Sequence, residues 1–302
     1  RLSIAEYLHE RLKLSRDKVL EFVFSPTEDT LSPFSPAEQK AMEKALKECK
    51  IVDPAVGSGS FLIGALNVLC ELLDALAISQ GKERYNRYRL KKQLILNNLY
   101  GVDVKDWAVR VCELRLFLSL LVELPDGVPP RSNEPILPNL DFRIRVGDSI
   151  IQEVPGTPFP IVLRKERNRF ALPIHRTLKK LIDMKKKLEK TPTTYLATKE
   201  QKVFAEERKI IAEILDHYLR KIEESVWKTD NFQKQQVFCT ILREFIKLVE
   251  SQKERLERGE PIPLFFWEVA FPEVFFPEDG EPGFDIVLAN PPYVRQEKIE
   301  PP

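Results

Sequence analysis

Four short apolar runs recur along the chain, and each is followed by a polar side chain. The polar residues at these four ends are Asp53, Asp103, Asp148 and Asn290. Short apolar runs bounded by turn residues are typical of strands buried on both faces, as in a parallel sheet. Open α/β sheets bind ligands at the edge where the strands have their carboxyl ends. The pattern therefore predicts an α/β fold with a single cleft along that edge.

Apolar residues at helical spacing predict the helices between these strands. One amphipathic helix is expected over residues 1–24, and a second over residues 36–49 with Ser35 as its N-cap. Two long apolar helices are expected after the first two strands, over residues 60–78 and 107–121. Helices that alternate with strands in this way are typical of parallel sheets.

A change of character in the second half of the chain predicts an inserted segment. Glycine is nearly absent there, and three amphipathic stripes follow one another, over about residues 178–188, 211–226 and 238–249, which are expected to pack on one another or on the sheet. The chain is therefore divided into a helical segment (1–50), a first half of the sheet (51–160), a helical insertion (161–260) and a return to the sheet (261–302). Lys and Arg cluster early in the insertion. They suit either a phosphate backbone or a solvated helix face, and the sequence leaves both open.

Composition narrows the class of protein. The chain has 302 residues, of which 31% are charged, with a net charge of +1, so charge alone neither supports nor excludes a nucleic-acid partner. The four cysteines are scattered and no His lies near them at ligand spacing, which predicts reduced thiols and no metal site. No apolar run is expected to span a bilayer, and no signal peptide is recognised. A cytoplasmic protein without a membrane partner is expected.

The turn after the first strand contains two glycines, Gly57 and Gly59. Strand, Gly-x-Gly turn and helix form an arrangement that holds nucleotide cofactors, because glycine lets a ligand approach the backbone and the helix start offers free N–H groups. Leu62 stands at the third glycine position of the dinucleotide fingerprint, so an ordinary strand–helix turn stays open as an alternative. Asp103 ends the next strand, where ribose hydroxyls are accepted in such folds, with helix capping as the alternative.

The last strand leads into Asn290-Pro291-Pro292-Tyr293. Both prolines stop the strand, because neither donates to a ladder. An exocyclic amine such as adenine N6 is a poor nucleophile, since its lone pair is delocalised into the ring. Two acceptors, the side-chain oxygen of Asn290 and the Pro291 carbonyl, would localise that lone pair, and the ring of Tyr293 offers a face for a planar base.

Four segments, in this order, resemble motifs I to IV of the amino-group DNA methyltransferases. They are Asp-Pro-Ala-Val-Gly-Ser-Gly-Ser-Phe-Leu (53–62), Gly-Val-Asp-Val (101–104), Gly-Asp-Ser (147–149) and Asn-Pro-Pro-Tyr (290–293). The segment Trp-Glu-Val-Ala-Phe-Pro-Glu-Val-Phe (267–275) resembles the same group. The nearest group is the adenine-N6 enzymes of bacterial restriction–modification systems, of the type IIG kind that joins restriction and methylation in one chain.

The resemblance implies a Rossmann-like fold that binds S-adenosylmethionine, with residues 51–160 as the cofactor-binding half. It also implies that the target adenine is flipped out of duplex DNA and methylated directly at N6. The cofactor-binding residues carried over are Asp53, Pro54, Ala55, Gly57, Gly59, Phe61, Asp103, Val104, Asp148 and Ser149. The catalytic residues carried over are Asn290, Pro291, Pro292 and Tyr293. Within the first set, motif I would hold the amino-acid end, Asp103 the ribose and Asp148 the adenine amine.

The chain departs from the family pattern at several points. Val56 stands where a Cys is common, and the Thr-Pro motif that precedes motif I is not visible. The strands after motif IV are also missing, so we expect an incomplete sheet in a fragment. Target-recognition and possible nuclease domains are then expected elsewhere in the parent chain. Methylation of cytosine N4, an RNA base or a protein glutamine, and a non-catalytic fragment that binds cofactor or DNA, are the alternatives.

Overall fold

The computed structural model describes residues 1–124, 138–150, 175–189, 196–226, 265–277 and 281–290, together with residues 251, 254, 255 and 258. The chain divides into two compact units. The first comprises Arg1–Pro129, Arg143–Val146 and Phe284–Pro302, and the second comprises Pro130–Phe142 and Gly147–Gly283. The domain boundaries predicted near residues 50, 160 and 260 stay predictions.

A four-stranded parallel sheet forms the core of the first unit. Its strands are β1 (Ile51–Asp53), β2 (Leu99–Asp103), β3 (Ile144–Val146) and β4 (Ile286–Val287). They lie in the order β3-β2-β1-β4, and Val52 pairs with Tyr100 on one side and with Val287 on the other. Strand β1 is buried throughout, as expected for a parallel strand covered on both faces. The prediction of an α/β fold with a parallel sheet is confirmed.

Four helices precede the sheet: α1 (Leu2–Leu12), α2 (Arg16–Phe24), α3 (Glu28–Leu31) and α4 (Pro36–Glu48). The single helix predicted over residues 1–24 is wrong, because Lys13 adopts a left-handed backbone conformation (φ 56°) between α1 and α2. The predicted cap of α4 is confirmed. The Glu38 N–H donates to the Ser35 hydroxyl at 3.3 Å, and the Ser35 N–H donates to the Glu38 carboxylate at 2.7 Å.

Three further helices surround the sheet: α5 (Ser60–Ser79), α6 (Arg87–Asn98) and α7 (Asp106–Leu121). Helix α5 packs against β1, β2, α4, α6 and α7. Contrary to the expectation from the sequence, α5 is long and apolar enough to cross a membrane by length and composition, and it is the single such helix in the described part of the chain. It carries the buried Asp74, which forms an ion pair with Arg87 at 2.8 Å, and most of its leucines lie in the protein core. These contacts are those of a core helix.

The described part of the second unit includes two long helices, α8 (His175–Glu189) and α9 (Leu196–Val226), and two short ones, α10 (Trp267–Ala270) and α11 (Pro272–Phe275). Its core consists of apolar side chains from α8, α9 and the segments around them: Phe142, Leu178, Leu181, Leu188, Val203, Ile210, Ile214, Leu215, Phe266 and Val269. Two of the stripes predicted for the insertion therefore pack against one another. The third predicted stripe, near residues 238–249, lies outside the described residues.

Candidate functional site

The turn between β1 and α5 is shaped by its two glycines. Gly57 and Gly59 both have positive φ angles, 52° and 77°, in the left-handed region that other residues adopt at a cost. Gly59 is the N-cap of α5, and a Cβ at this position would lie 2.5 Å from Cys112 Sγ on α7. The turn therefore needs glycine here for two separate reasons, backbone conformation and space.

Asp103 ties the end of β2 to this turn. Its Oδ2 accepts from the Gly57 N–H at 2.9 Å, and its Oδ1 accepts from the Lys105 N–H at 2.9 Å. Asp103 does not cap α7 at the N-cap position, which Lys105 occupies. Each carboxylate oxygen has a second lone pair, so both can still accept a hydroxyl proton from a ligand. The residue predicted to hold a ribose therefore also holds the protein's own turn.

Asp53 is the most deeply buried carboxylate of the turn, with 1% of the residue exposed. Burial raises the pKa of Asp53 to about 6, since the Ala55 N–H that donates to its Oδ1 at 3.1 Å only partly offsets the lost hydration, and the nearby Asp103 carboxylate adds to the rise. The site thus contains a carboxylate that costs free energy in its ionised form.

Strand β4 brings Asn290 to the same edge of the sheet as this turn. The Leu288 N–H donates to the Val52 carbonyl at 2.8 Å, so the chain leaves the sheet beside the carboxyl end of β1. Asn290 follows three residues after Val287 and is exposed. Pro291, Pro292 and Tyr293 lie outside the described residues. Their catalytic roles stay predictions.

The predicted residues Asp148 and Ser149 follow β3 and belong to the second unit. The Ile150 N–H donates to Asp148 Oδ1 at 3.0 Å, and Trp267 Nε1 donates to the Ser149 carbonyl at 3.2 Å. A Cβ on Gly147 would overlap the Phe265 ring. The aromatic residues Phe265 and Trp267 thus pack against residues 147–149, which contain the predicted Asp148 and Ser149.

Two residues on α7 that sequence reasoning missed contact the glycine turn. Cys112 lies against Gly59, and burial raises the pKa of its thiol to about 12. Arg115 donates to Ser58 and Ser60. Both lie on one face of α7, three residues apart. That spacing was the available signal, but the sequence does not show which helix face meets the turn.

Several predicted cofactor residues lie at the rim of the turn. Pro54 and Ala55 are half-buried, whereas Phe61 and Val104 are 45% and 63% exposed. Exposed apolar side chains beside glycine and carboxylate groups suit an amphiphilic ligand. Within the described part of the chain, no cluster of three or more His, Cys, Asp or Glu side chains could hold a metal ion. The groups of the turn that could hold a ligand are its backbone N–H groups and the carboxylates of Asp53 and Asp103.

Comparison with known proteins identifies the family to which the chain belongs. Residues 97–301 match the model of a family described as Eco57I restriction-modification methylase. The chain belongs to this family. Residues 32–123 also match the DNA-methyltransferase domain described for MmeI, so the glycine turn and Asp103 lie within a methyltransferase match.

Two relatives agree with this assignment. The putative type II restriction enzyme and methyltransferase RM.MjaORFECS2P of Methanocaldococcus jannaschii is 28% identical over 301 residues, covering 91% of this chain and 25% of the relative. The type II restriction enzyme and methyltransferase RM.Eco57I of Escherichia coli is 30% identical over 112 residues, covering 34% of this chain and 11% of the relative. The chain thus spans a quarter or less of the length of each of these relatives. No solved structure gives a significant match.

The residues predicted to bind the cofactor of this family member fall in two sets, one in each unit of the structure. In the first set, Asp103 accepts from the Gly57 N–H, Gly59 lies two residues further along the same turn, and the Asp103 carboxylate is near enough to Asp53 to help raise its pKa. Asp148 and Ser149 are described within the second unit. The resemblance inferred from the sequence is confirmed at the level of the family.

Proposed function

We propose that the protein is an S-adenosylmethionine-dependent DNA methyltransferase that methylates adenine at N6 as part of a restriction–modification system. The observation that carries the proposal is the position of the glycine turn at the carboxyl edge of the sheet. Asp103 binds this turn, and β4 pairs with β1 beside it and leads directly to Asn290. Family membership supports methyl transfer as the reaction, and the sheet edge supports a cofactor site beside Asn290, whose side-chain oxygen suits an amine.

The proposed fold is Rossmann-like. The observed strand order β3-β2-β1-β4 agrees with the order 3-2-1-4 that begins the dinucleotide-binding sheet. In that fold the ligand lies where the strand order reverses, between the first and fourth strands. The glycine turn and Asn290 flank the corresponding point here, which supports a cofactor and a target base at neighbouring positions.

The residues of the turn fit the proposed cofactor. Gly57 leaves space at the backbone, because the nearest atom to a Cβ there would be the Ala55 carbonyl oxygen at 4.0 Å, and the first N–H groups of α5 have no acceptor within the helix. Asp53 is available for a cationic group and Asp103 for ribose hydroxyls, and in the proposal Asp148 and Ser149 contact the adenine. S-adenosylmethionine, when bound, supplies an activated methyl group.

Asn290 would prepare the target for that methyl group. Its side-chain oxygen accepts one N–H of the adenine amine and the Pro291 carbonyl accepts the other, which localises the nitrogen lone pair without a formal base. Tyr293 stacks on the base. Because this chemistry needs the amine out of the base pair, the adenine is flipped from the duplex.

The partner in this proposal is duplex DNA, in the cytoplasm. The names of both relatives combine restriction enzyme with methyltransferase, and each relative is several times longer than its match to this chain. We therefore propose that target recognition and DNA cleavage belong to other regions of a full-length protein that contains this sequence.

The cofactor part is tested by calorimetric titration of the chain with S-adenosylmethionine and S-adenosylhomocysteine. We expect binding that weakens at least about tenfold in Asp103→Ala, because the turn and the ribose acceptor are lost together. Asp106→Ala, which removes an exposed carboxylate at the start of α7, is the matched control and should bind normally. A folded chain that binds neither ligand, or unchanged affinity in Asp103→Ala, would contradict the assignment.

The methyl-transfer part is tested with the full-length protein that contains this chain. The enzyme is incubated with unmethylated genomic DNA and S-adenosylmethionine, and the digested nucleosides are analysed by mass spectrometry. We expect N6-methyladenine with the wild type and none with Asn290→Ala, which should still bind cofactor. N4-methylcytosine as the product would contradict the adenine assignment while leaving the cofactor site intact, and normal turnover in Asn290→Ala would remove the role of that residue.

A further inference from the structure

Arg115 connects helix α7 to the glycine turn. A single nitrogen of its guanidinium, Nη1, donates to the Ser58 carbonyl at 3.0 Å, to Ser58 Oγ at 2.9 Å and to Ser60 Oγ at 2.9 Å. Ser58 and Ser60 lie on either side of Gly59. One side chain therefore fixes a backbone carbonyl and two hydroxyls around the residue at which the turn becomes helix α5.

The chemistry of arginine suits this task. Its guanidinium is planar and always charged, and its donors have fixed directions, whereas a lysine ammonium is a flexible point charge. Arg115 is half-buried against the turn, which reduces screening of its hydrogen bonds by water. Nη1 carries two N–H groups, which the Ser58 carbonyl and the two serine hydroxyl oxygens share as acceptors.

At its outer end the turn is held by the backbone hydrogen bond from the Gly59 N–H to the Val56 carbonyl at 2.8 Å and by the side chain of Arg115. Gly59 caps α5 without a side-chain hydrogen bond, and its left-handed backbone is intrinsically permissive. Asp103 holds the turn at Gly57, on the side of β2. Arg115 holds the other side, at Ser58 and Ser60. The two anchors come from separate elements and bracket Gly59, where a Cβ would lie 2.5 Å from Cys112 Sγ on α7.

We propose that Arg115 is a positioning residue of the cofactor site. By holding Ser58 and Ser60, it keeps the first N–H groups of α5 aimed at the amino-acid end of the cofactor. This inference rests on the proposed function, since it takes S-adenosylmethionine as the ligand of the turn. Arg115 acts through the turn, so it affects the amino-acid end of the ligand and not the adenosine end.

The test compares two ligands that differ in that end. S-adenosylhomocysteine carries the amino acid, whereas 5′-methylthioadenosine shares the adenosine part and lacks it. Calorimetric affinities are measured for the wild-type chain, Arg115→Met and Arg115→Lys, with Arg110→Met as the control. Arg110 lies on the same helix and pairs with Asp106 and Glu113, so its loss removes an arginine of α7 whose ion pairs lie along the helix itself.

We expect Arg115→Met to weaken S-adenosylhomocysteine binding about tenfold or more, which corresponds to about 1.4 kcal/mol, and to change methylthioadenosine binding by less than about twofold. Arg115→Lys should recover part of the loss, because an ammonium can still donate to some of the three acceptors. Arg110→Met should leave both affinities near those of the wild type.

Equal weakening of both ligands in Arg115→Met would overturn the inference, because a merely structural role lowers affinity without regard to the amino-acid end. Unchanged affinity for S-adenosylhomocysteine would overturn it too, while leaving the proposed cofactor intact. If the folded wild-type chain binds neither ligand, the proposed cofactor is refuted, and the inference is refuted with it.

Discussion

The substitution Asp53→Asn should stabilise the ligand-free protein above pH 6. Asp53 is 1% exposed, and burial raises its pKa to about 6 from the ordinary 3.8 of an aspartate. In the folded protein, the Asp53 carboxyl group therefore keeps its proton up to a higher pH than it does in the unfolded chain. The free energy of unfolding falls as the pH rises from about 4 to about 6, and the cost of the buried charge is fully present above that range.

A pKa difference of this size between folded and unfolded chains corresponds to about 3 kcal/mol. The amide introduced by Asp53→Asn would keep the hydrogen bond from the Ala55 N–H, but a neutral acceptor binds it less strongly than a carboxylate. The buried amide also brings an N–H₂ group that needs a partner. We therefore expect a net gain of about 1–2 kcal/mol at pH 8 that fades towards zero at pH 4–5.

The assay is urea-induced unfolding of the wild type and Asp53→Asn at pH 5, 6.5 and 8, followed by circular dichroism. Asp106→Asn serves as the control, because this carboxylate is exposed in the same region and should change stability by less than about 0.5 kcal/mol. The reasoning is refuted if Asp53→Asn is the less stable protein at pH 8, or if its gain is equal at all three pH values.

Two further pairs of variants test the packing. Gly59→Ala should lose about 2 kcal/mol or more, because it meets both a positive φ and Cys112 Sγ, whereas Gly64→Ala on α5, with nothing within 4 Å of its Cβ position, should gain about 0.5–1 kcal/mol. Thermal unfolding measures both, and equal effects would contradict the geometry. Lys185→Met should cost about 3–5 kcal/mol, because it removes the buried ammonium that pairs with the Glu207 carboxylate at 2.9 Å and donates to the Ala270 carbonyl at 2.8 Å. Adding Glu207→Leu should recover most of that loss in the same assay, and a single variant as stable as the double would show that the pair contributes little.

The elements that depend on local pattern were predictable from the sequence. A buried apolar run with a polar end identified β1 and β2, and Ser35 before a proline identified the start of α4. The break between α1 and α2 was missed, because the apolar pattern continues across it. Lys13 follows the last residue of α1 in a left-handed conformation that is usual for glycine, and a lysine at this position does not predict the end of a helix.

The contacts that complete the candidate site were out of reach for a different reason. Asp103 and Gly57 are 46 residues apart, and Arg115 and Ser58 are 57 residues apart. Motif spacing predicts that Asp103 meets a ligand, but not that it also accepts the Gly57 N–H. Likewise, an arginine on an apolar helix is interpreted as part of a solvated face until the helix is docked. Only the packing of α7 on the turn shows which side chains point inward.

The charges of the turn suggest why a costly carboxylate is retained at its centre. Arg115 donates to the serines, and Asp103 accepts two backbone N–H groups, whereas Asp53 accepts one. A cationic ligand group beside Asp53 would favour the ionised carboxylate and so lower its pKa. By linkage, the affinity for such a ligand should rise as the pH increases from 5 to 7, and this rise should be absent in Asp53→Asn. Calorimetric titration with S-adenosylmethionine across that range measures it. An affinity that is equally pH-dependent in both proteins would mean that the cost of burying Asp53 is not recovered through the ligand.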